Sequence, residues 1–269
     1  MIQTMRICIM VALAVVLAGI AYSSAAQTPA PGIGIVIMHG KGGSPARHVS
    51  TLASTLKDKG YLVANLEMPW SGRRDYDVSV NVAEQETEAA LAMLRSKGAR
   101  KVFVAGHSQG GLFALYFGGR HEVDGIIAMA PGGDVSNALY REKLGASVDL
   151  ARKLIAEGKG NDKTQFQDYE GSKGLTAVNT TPAIYFSWFD PDGAMNQTMA
   201  VKNMNPRTPV LHIGPTGDYP GLRKLKQTMF NALPRNPLSK LYEPDASHLD
   251  APSASRDEIA RWTAEVSAR

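Results

Sequence analysis

Cysteine is almost missing from this chain. Its one example, Cys8, lies in an apolar N-terminal segment, and nothing after it has the arrangement of a lipidated N-terminus. Beyond that segment no disulfide, no thiol nucleophile and no cysteine-held metal can form. Blocks of like charge are missing too: 29 Lys and Arg stand singly or in pairs among 25 Asp and Glu, for a net charge of +4. No basic stripe can follow a phosphate backbone, so nucleic acid is not an expected partner. No apolar run reaches the roughly 20 residues that a membrane span needs. Internal repeats are absent, and Asp190-Pro191-Asp192-Gly193 lacks the ligand spacing of a calcium loop. No metal and no cofactor are expected.

What remains, 269 residues with 44% hydrophobic and 20% charged, has the balance of one large globular domain. The first 26 residues read as a signal peptide: Arg6 supplies a positive start, residues 7–20 are apolar, and Ser24-Ala25-Ala26 offers small residues for cleavage before Gln27. The expected destination is the periplasm or the exterior, with no stable membrane insertion once the signal is removed. An uncleaved anchor is the competing expectation, but the apolar run is short and has no basic stop-transfer flank.

From residue 31 short apolar runs alternate with amphipathic stretches. Residues 33–38, 61–66, 101–105 and 125–130 read as strands. The segments between them read as helices, the first opened by Ser44-Pro45 as cap and first turn and closed by Gly60. Such alternation implies an α/β fold with a mostly parallel, doubly wound sheet. The rhythm breaks over about residues 134–207, which hold one amphipathic helix (Leu144, Val148, Ala151, Leu154, Ile155) and a polar stretch, 158–174. It resumes with a strand at 209–214, a helix, a short strand at 238–242 and a last helix carrying Ile259, Trp262 and Val266. A single domain spanning residues 27–269, interrupted by a cap-like insertion, is the expected organisation.

The chemistry centres on Gly106-His107-Ser108-Gln109-Gly110, where an apolar run passes into another with no room for a loop. A G-x-S-x-G sequence at a strand-to-helix corner lifts the serine hydroxyl clear of the sheet, which makes Ser108 the candidate nucleophile. Catalytic groups of a parallel sheet gather at the carboxyl ends of its strands. Of the six histidines, His248 follows the last strand in a short loop and is the candidate general base, whereas His212 lies inside a strand and His48 and His121 fall on or beside helices. Asp218, in the loop after strand 209–214, is the favoured orienting acid; Asp190 and Asp192, after the possible strand 182–186, are its rivals. Gln109 N–H and Lys41 N–H, the latter in His39-Gly40-Lys41-Gly42-Gly43, are the expected oxyanion donors. His39 should brace that loop. His39, Trp70 and His107 are candidate pocket residues, with Arg73 and Arg74 in the same loop as Trp70.

His39-Gly40, the Gly106 to Gly110 elbow, Asp218 and His248, in the order serine, acid, histidine, resemble the α/β-hydrolase superfamily over about residues 32–267. The resemblance implies a Ser-His-Asp hydrolase of the esterase or lipase type that works through an acyl-enzyme on a small-molecule acyl substrate. A serine at the elbow sets the chain apart from the dehalogenases and epoxide hydrolases, which attack with a carboxylate. Lys41 departs from the HGGG loop of some lipases. The insertion lies where many members carry a helical cap. Thioester or amide cleavage, acyl transfer, and a non-catalytic binding protein on the same fold stay open as alternatives.

Overall fold

A computed structural model of the chain describes residues 32–171 and 173–269. The expected signal segment, residues 1–26, lies outside the described residues. In chain order, β1 (Ile33–Met38) leads to α1 (Ser50–Asp58), β2 (Leu62–Leu66) to α2 (Val80–Ser96), and β3 (Lys101–His107) to α3 (Gln109–Gly118). After β4 (Gly125–Met129) comes a long segment with α4 (Ala138–Ala156), β5 (Thr164–Glu170), β6 (Gly174–Thr180), α5 (Pro182–Phe189) and α6 (Gln197–Lys202). The chain then returns as β7 (Val210–Ile213), α7 (Pro220–Ala232), β8 (Lys240–Tyr242), α8 (Ala251–Ala254) and α9 (Arg256–Ser267).

Six strands form one sheet in the order β2-β1-β3-β4-β7-β8, and every pairing in it is parallel. Alternation along the strands buries both faces. In β1, Ile33, Ile35 and Ile37 join a cluster with Leu52 and Leu56 of α1 and Ile259 and Trp262 of α9. Val36 and Met38 point the other way, into a larger cluster with Leu91 of α2 and Leu112 and Phe113 of α3. Chain direction across the sheet reverses at β1: the path first steps outward to β2, then crosses back to β3 and onward. Right-handed crossovers therefore put α1 on one face and α2 and α3 on the other. The loops leaving the carboxyl ends of neighbouring β1 and β3 open a crevice at that reversal.

Three local expectations are corrected. The first helix starts at Ser50, not at Ser44-Pro45. Residues 40–49 are held as turns because the loop is pinned at the sheet edge: Gly42 N–H donates to Trp70 O at 2.9 Å, and Arg47 N–H to Ser44 O at 3.0 Å. Residues 182–186, read as a possible strand, are the start of helix α5. Thr181 caps it, its Oγ1 accepting from Ile184 N–H at 3.3 Å, with Pro182 in the first turn. Tyr185, Trp188 and Phe189 then bury one helical face. The polar stretch 158–174 contains β5, which pairs antiparallel with β6. The insertion thus adds a β-hairpin to its helices. Phe166 and Asp168 share the inward face of β5, and Val178 faces in from β6.

The insertion is fused to the sheet domain by an aromatic joint. Trp188 of α5 lies edge to face with Trp70 at 5.5 Å between ring centroids and against Phe113 of α3 at 5.7 Å. Trp70 itself stands edge-on to Phe113 at 5.5 Å. Such pairs favour offset or T-shaped geometry and add to the burial of large apolar area. No helix among the described residues is long and apolar enough to cross a membrane.

Candidate active site

Ser108 is placed by crowding. Strand β3 and helix α3 meet with Ser108 at φ 54°, ψ −117°, a left-handed conformation that costs a non-glycine residue strain energy. A Cβ on Gly106 would stand 1.9 Å from Gly110 O, and one on Gly110 would stand 2.5 Å from Met38 O at the end of β1. Only glycine at both positions lets the helix start against the strand. The bend is then held by Ser108 N–H donating to Met129 O of β4 at 2.9 Å, and by Gly132 N–H donating to Ser108 O at 3.1 Å.

His248 and Asp218 come from loops 30 positions apart that run side by side. Beyond β7 and β8 the parallel pairing continues as an isolated bridge between Gly217 and Ser247, with Gly217 N–H donating to Ala246 O at 3.0 Å and Thr216 N–H to Pro244 O at 2.9 Å. This zip delivers the acid to the histidine. His248 Nδ1–H donates to Asp218 Oδ1 at 2.6 Å, and Tyr219 N–H donates to the same oxygen at 2.7 Å. An ionised carboxylate only accepts, so the proton sits on Nδ1 and the lone pair of Nε2 is left for another partner. The imidazole is held on both sides, by His107 at 5.0 Å and Tyr219 at 4.4 Å between ring centroids. Among the described residues no hydrogen bond joins Ser108 Oγ to His248; both line one pocket of about 420 Å³.

Lys41, Gln109 and His107 also line that pocket, with Tyr140, Tyr219, Leu222 and Leu249 as its larger ring and apolar surfaces and Arg47, His48 and Lys173 as basic groups. Gln109 N–H opens helix α3, where the first backbone donors have no intrahelical acceptor. Lys41 N–H donates no backbone hydrogen bond among the described residues, whereas Gly42 N–H and Gly43 N–H on either side of the turn are used.

His39 and Trp70, expected in the pocket, are beneath it. His39 is buried, with Nδ1 donating to Gly40 O at 2.8 Å and Nε2 accepting from Met68 N–H at 3.0 Å, so it braces the loop. Trp70 donates its indole N–H to His39 O at 2.9 Å and belongs to the aromatic joint. Arg74 is committed to Asp77 and Glu86, and neither it nor Arg73 touches the pocket. Asp190 and Asp192 form a turn after α5, Asp190 Oδ1 accepting from Asp192 N–H at 3.2 Å, and stand apart from His248. His121 lies between Glu84 and Glu88. Two groups that sequence reasoning passed over are brought to Lys41 by the insertion: Asp168 accepts from its ammonium at 2.6 Å and the Tyr140 ring centre lies 5.4 Å from it, while Tyr76, from the loop after β2, donates to the other oxygen of Asp168 at 3.2 Å. The alternation in Gln165-Phe166-Gln167-Asp168-Tyr169 was the available signal, since it places Asp168 on the same strand face as Phe166.

Three histidines are buried neutral. Desolvation holds His107 down to about 3 and His212 to about 4, and lowers His39 as well. His107 donates Nε2–H to His248 O at 2.8 Å, and its Nδ1 has no partner among the described residues. It therefore anchors the His248 backbone without competing for the proton. No group of three or more potential metal-ligating side chains occurs among the described residues.

A six-stranded parallel sheet with a serine elbow after β3 and an acid and a histidine after β7 and β8 defines the α/β-hydrolase class. The chain belongs to the serine aminopeptidase S33 family of that superfamily, whose family model matches residues 30–170. Solved structures agree on the fold. Est1E from Butyrivibrio proteoclasticus, with ferulic acid bound, is 16% identical with a TM-score of 0.60, over 91% of this chain and 93% of that one. A monoacylglycerol lipase of Paleococcus ferrophilus is 18% identical with a TM-score of 0.60, over 87% and 94%. A thermostable carboxyl esterase of Bacillus coagulans, in complex with glycerol, is 15% identical with a TM-score of 0.62, over 87% and 89%. No curated protein matches the sequence.

Two predictions follow from this geometry. Gly106→Ala cannot keep the elbow, because the new methyl meets backbone and not a movable side chain. Urea unfolding should show a loss of about 3 kcal/mol or more, and a variant as stable as wild type would contradict the crowding. The second concerns acid. The folded values of His107 and His212 lie below the ordinary 6.5, so the unfolded chain takes up protons first as pH falls. Stability is full above pH 6.5 and should decline from there towards pH 4 by about 1.4 kcal/mol per pH unit for each group. His212→Gln should remove one group's share of that slope in urea titrations at pH 7, 6 and 5.

Proposed function

We propose that the protein is a serine hydrolase that cleaves a carboxylic ester or related acyl bond of a small molecule through an acyl-enzyme. Ser108 is its nucleophile, His248 its general base and Asp218 the orienting acid. The observation that carries this is the 2.6 Å hydrogen bond from His248 to Asp218 beside a pocket that Ser108 lines. In the first half-reaction Ser108 Oγ attacks the substrate carbonyl while His248 Nε2 takes its proton. The tetrahedral oxyanion rests on Gln109 N–H and Lys41 N–H, and the alcohol leaves with the proton returned by His248. Water then repeats the sequence against the acyl-enzyme and frees Ser108. Asp218 orients the imidazole and stabilises the imidazolium that forms.

The family description would also fit cleavage of an amide at a free amino terminus. Such a substrate brings an ammonium group, which an acidic wall would favour. Of the charged groups that line the pocket, Lys173 is paired with Glu170 at 2.9 Å and Lys41 with Asp168 at 2.6 Å, so Arg47 sets the balance, which favours a neutral or anionic acyl substrate. The esterase and lipase names among the structural neighbours fit the same preference. Export of the protein, with cleavage after Ala26, is part of the proposal and rests on the sequence of residues 1–26.

A panel of p-nitrophenyl esters and aminoacyl p-nitroanilides, run beside a fluorophosphonate label, tests the chemistry. The label should fall on Ser108 alone, and Ser108→Ala should lose about 10⁴ or more in kcat while staying folded. Asp218→Asn should cost about 10⁴ by presenting the wrong tautomer, whereas Asp190→Asn and Asp192→Asn should leave kcat within a few-fold. Full activity in Ser108→Ala would end the serine-hydrolase proposal. For export, N-terminal sequencing of protein from an exporting cell should begin at or within a few residues of Gln27; an intact Met1 in the membrane pellet would favour the anchor.

A further inference from the structure

Both expected oxyanion donors belong to residues whose side chains converge on one buried carboxylate of the insertion. Asp168 is 3% exposed on the inner face of β5. Its Oδ1 accepts from Lys41 Nζ at 2.6 Å and from Tyr169 N–H at 2.6 Å. Its Oδ2 accepts from the Tyr76 hydroxyl at 3.2 Å, and that hydroxyl in turn accepts from Gln109 Nε2 at 3.2 Å. Lys41 Nζ also donates to Tyr169 O at 3.2 Å and lies 5.4 Å from the centre of the Tyr140 ring. One acid on the hairpin thus holds Lys41 directly and Gln109 through a single tyrosine.

The intermediate link is itself locked by the hairpin. Tyr76 and the preceding Asp75 are both left-handed, at φ 55° and 46°, in a loop that would relax if free. Thr180 Oγ1–H donates to Tyr76 O at 2.8 Å, and Asn179 N–H donates to Asp75 Oδ2 at 3.3 Å, so β6 holds that backbone while β5 holds the hydroxyl. The ring packs between Trp188 and Phe189. Although burial alone would pull the Lys41 ammonium down, Asp168 at 2.6 Å keeps it above its usual value, and the two form an ion pair. Inside a low-dielectric wall, breaking one side of such a pair leaves an uncompensated charge. The loop carrying Lys41 N–H is therefore tethered to the hairpin.

We infer that Asp168 is a positioning residue that sets the two oxyanion donors, acting on Lys41 through the ion pair and on Gln109 through Tyr76. This rests on the serine-hydrolase proposal above. The effect is on the transition state: the donors must lie at hydrogen-bond distance from the oxyanion, and a small displacement costs rate before it costs substrate binding. The insertion is then a working part of the catalytic centre as well as a pocket wall.

Asp168→Asn and Tyr76→Phe test it, the second keeping the ring in its packing and removing only the hydroxyl. Active sites are titrated with fluorophosphonate so that kcat is expressed per labelled Ser108, and the affinity for phenylboronic acid, a tetrahedral analogue, is measured in parallel. Each variant should lose about 10- to 100-fold in kcat, below the loss for removing a donor outright. KM should change less than about 3-fold, as expected when only transition-state contacts weaken. The boronate should weaken by the same factor as kcat. A role in stability alone would lower the unfolding midpoint and the labelled fraction but leave kcat per site and boronate affinity untouched, which would overturn the inference. Loss confined to KM would overturn it as well. A wild type whose Ser108 resists the label overturns the serine-hydrolase proposal and this inference together, so the two failures are told apart by the wild-type control.

Discussion

The close approach of β3 to α3 is the constraint from which the rest of the site follows. With Gly106 and Gly110 almost in backbone contact and Gly110 pressed against the end of β1, helix α3 starts where the strand stops. The residue at that corner has no conformation left but the strained one that Ser108 adopts. The same contact draws the loop after β1 against the elbow, because β1 and β3 are neighbours in the sheet. Ser108 and the loop after β1 are thus placed by one packing event, and the parallel direction of β7 and β8 puts Asp218 and His248 on the same edge.

A second level of order comes from the insertion between β4 and β7. Its helices and hairpin are joined to the sheet domain through Trp70, Phe113, Tyr76, Trp188 and Phe189, which place a continuous aromatic layer beneath the pocket. An ion pair in such surroundings contributes little net stability, since desolvation of both charges offsets their attraction. What Lys41 and Asp168 contribute is a single register between hairpin and loop. An apolar pair of similar volume would pack there without fixing where Lys41 points. His107 performs a comparable service on the other side of the serine, holding the His248 carbonyl while staying neutral.

Much of this arrangement was legible in the chain because it depends on local rules. The short apolar runs, the glycines that close helices, the strand-to-helix corner and the loops after the last two strands all follow from residues close in sequence. Ser108, His248 and Asp218 could be nominated for that reason, and the last two are found within hydrogen-bond distance. The segment 158–180 was harder. Its hairpin faces the sheet domain with one side only, so polar residues dominate and the two buried positions of β5, Phe166 and Asp168, stand out weakly. Residues 182–186 misled through their β-branched and aromatic content, where the threonine cap and the proline at the first helical turn decided for helix.

By itself the sequence determined the alternation of strands and helices, the elbow and its serine, and which loops could supply acid and base, since each is a matter of backbone conformation or periodicity within a short stretch. Tertiary structure alone decided where the side chains of Lys41 and Trp70 go. Lys41 sends its ammonium 127 positions along the chain to Asp168, and Trp70, expected to line the pocket, turns inward beneath it; His39 leaves the pocket too, for the bracing role that its place in the loop had suggested. Those outcomes depend on which side of the sheet each crossover takes and on what the insertion brings to the crevice. No local preference encodes a charge paired across two packed layers, because its partner exists only once both layers are in place.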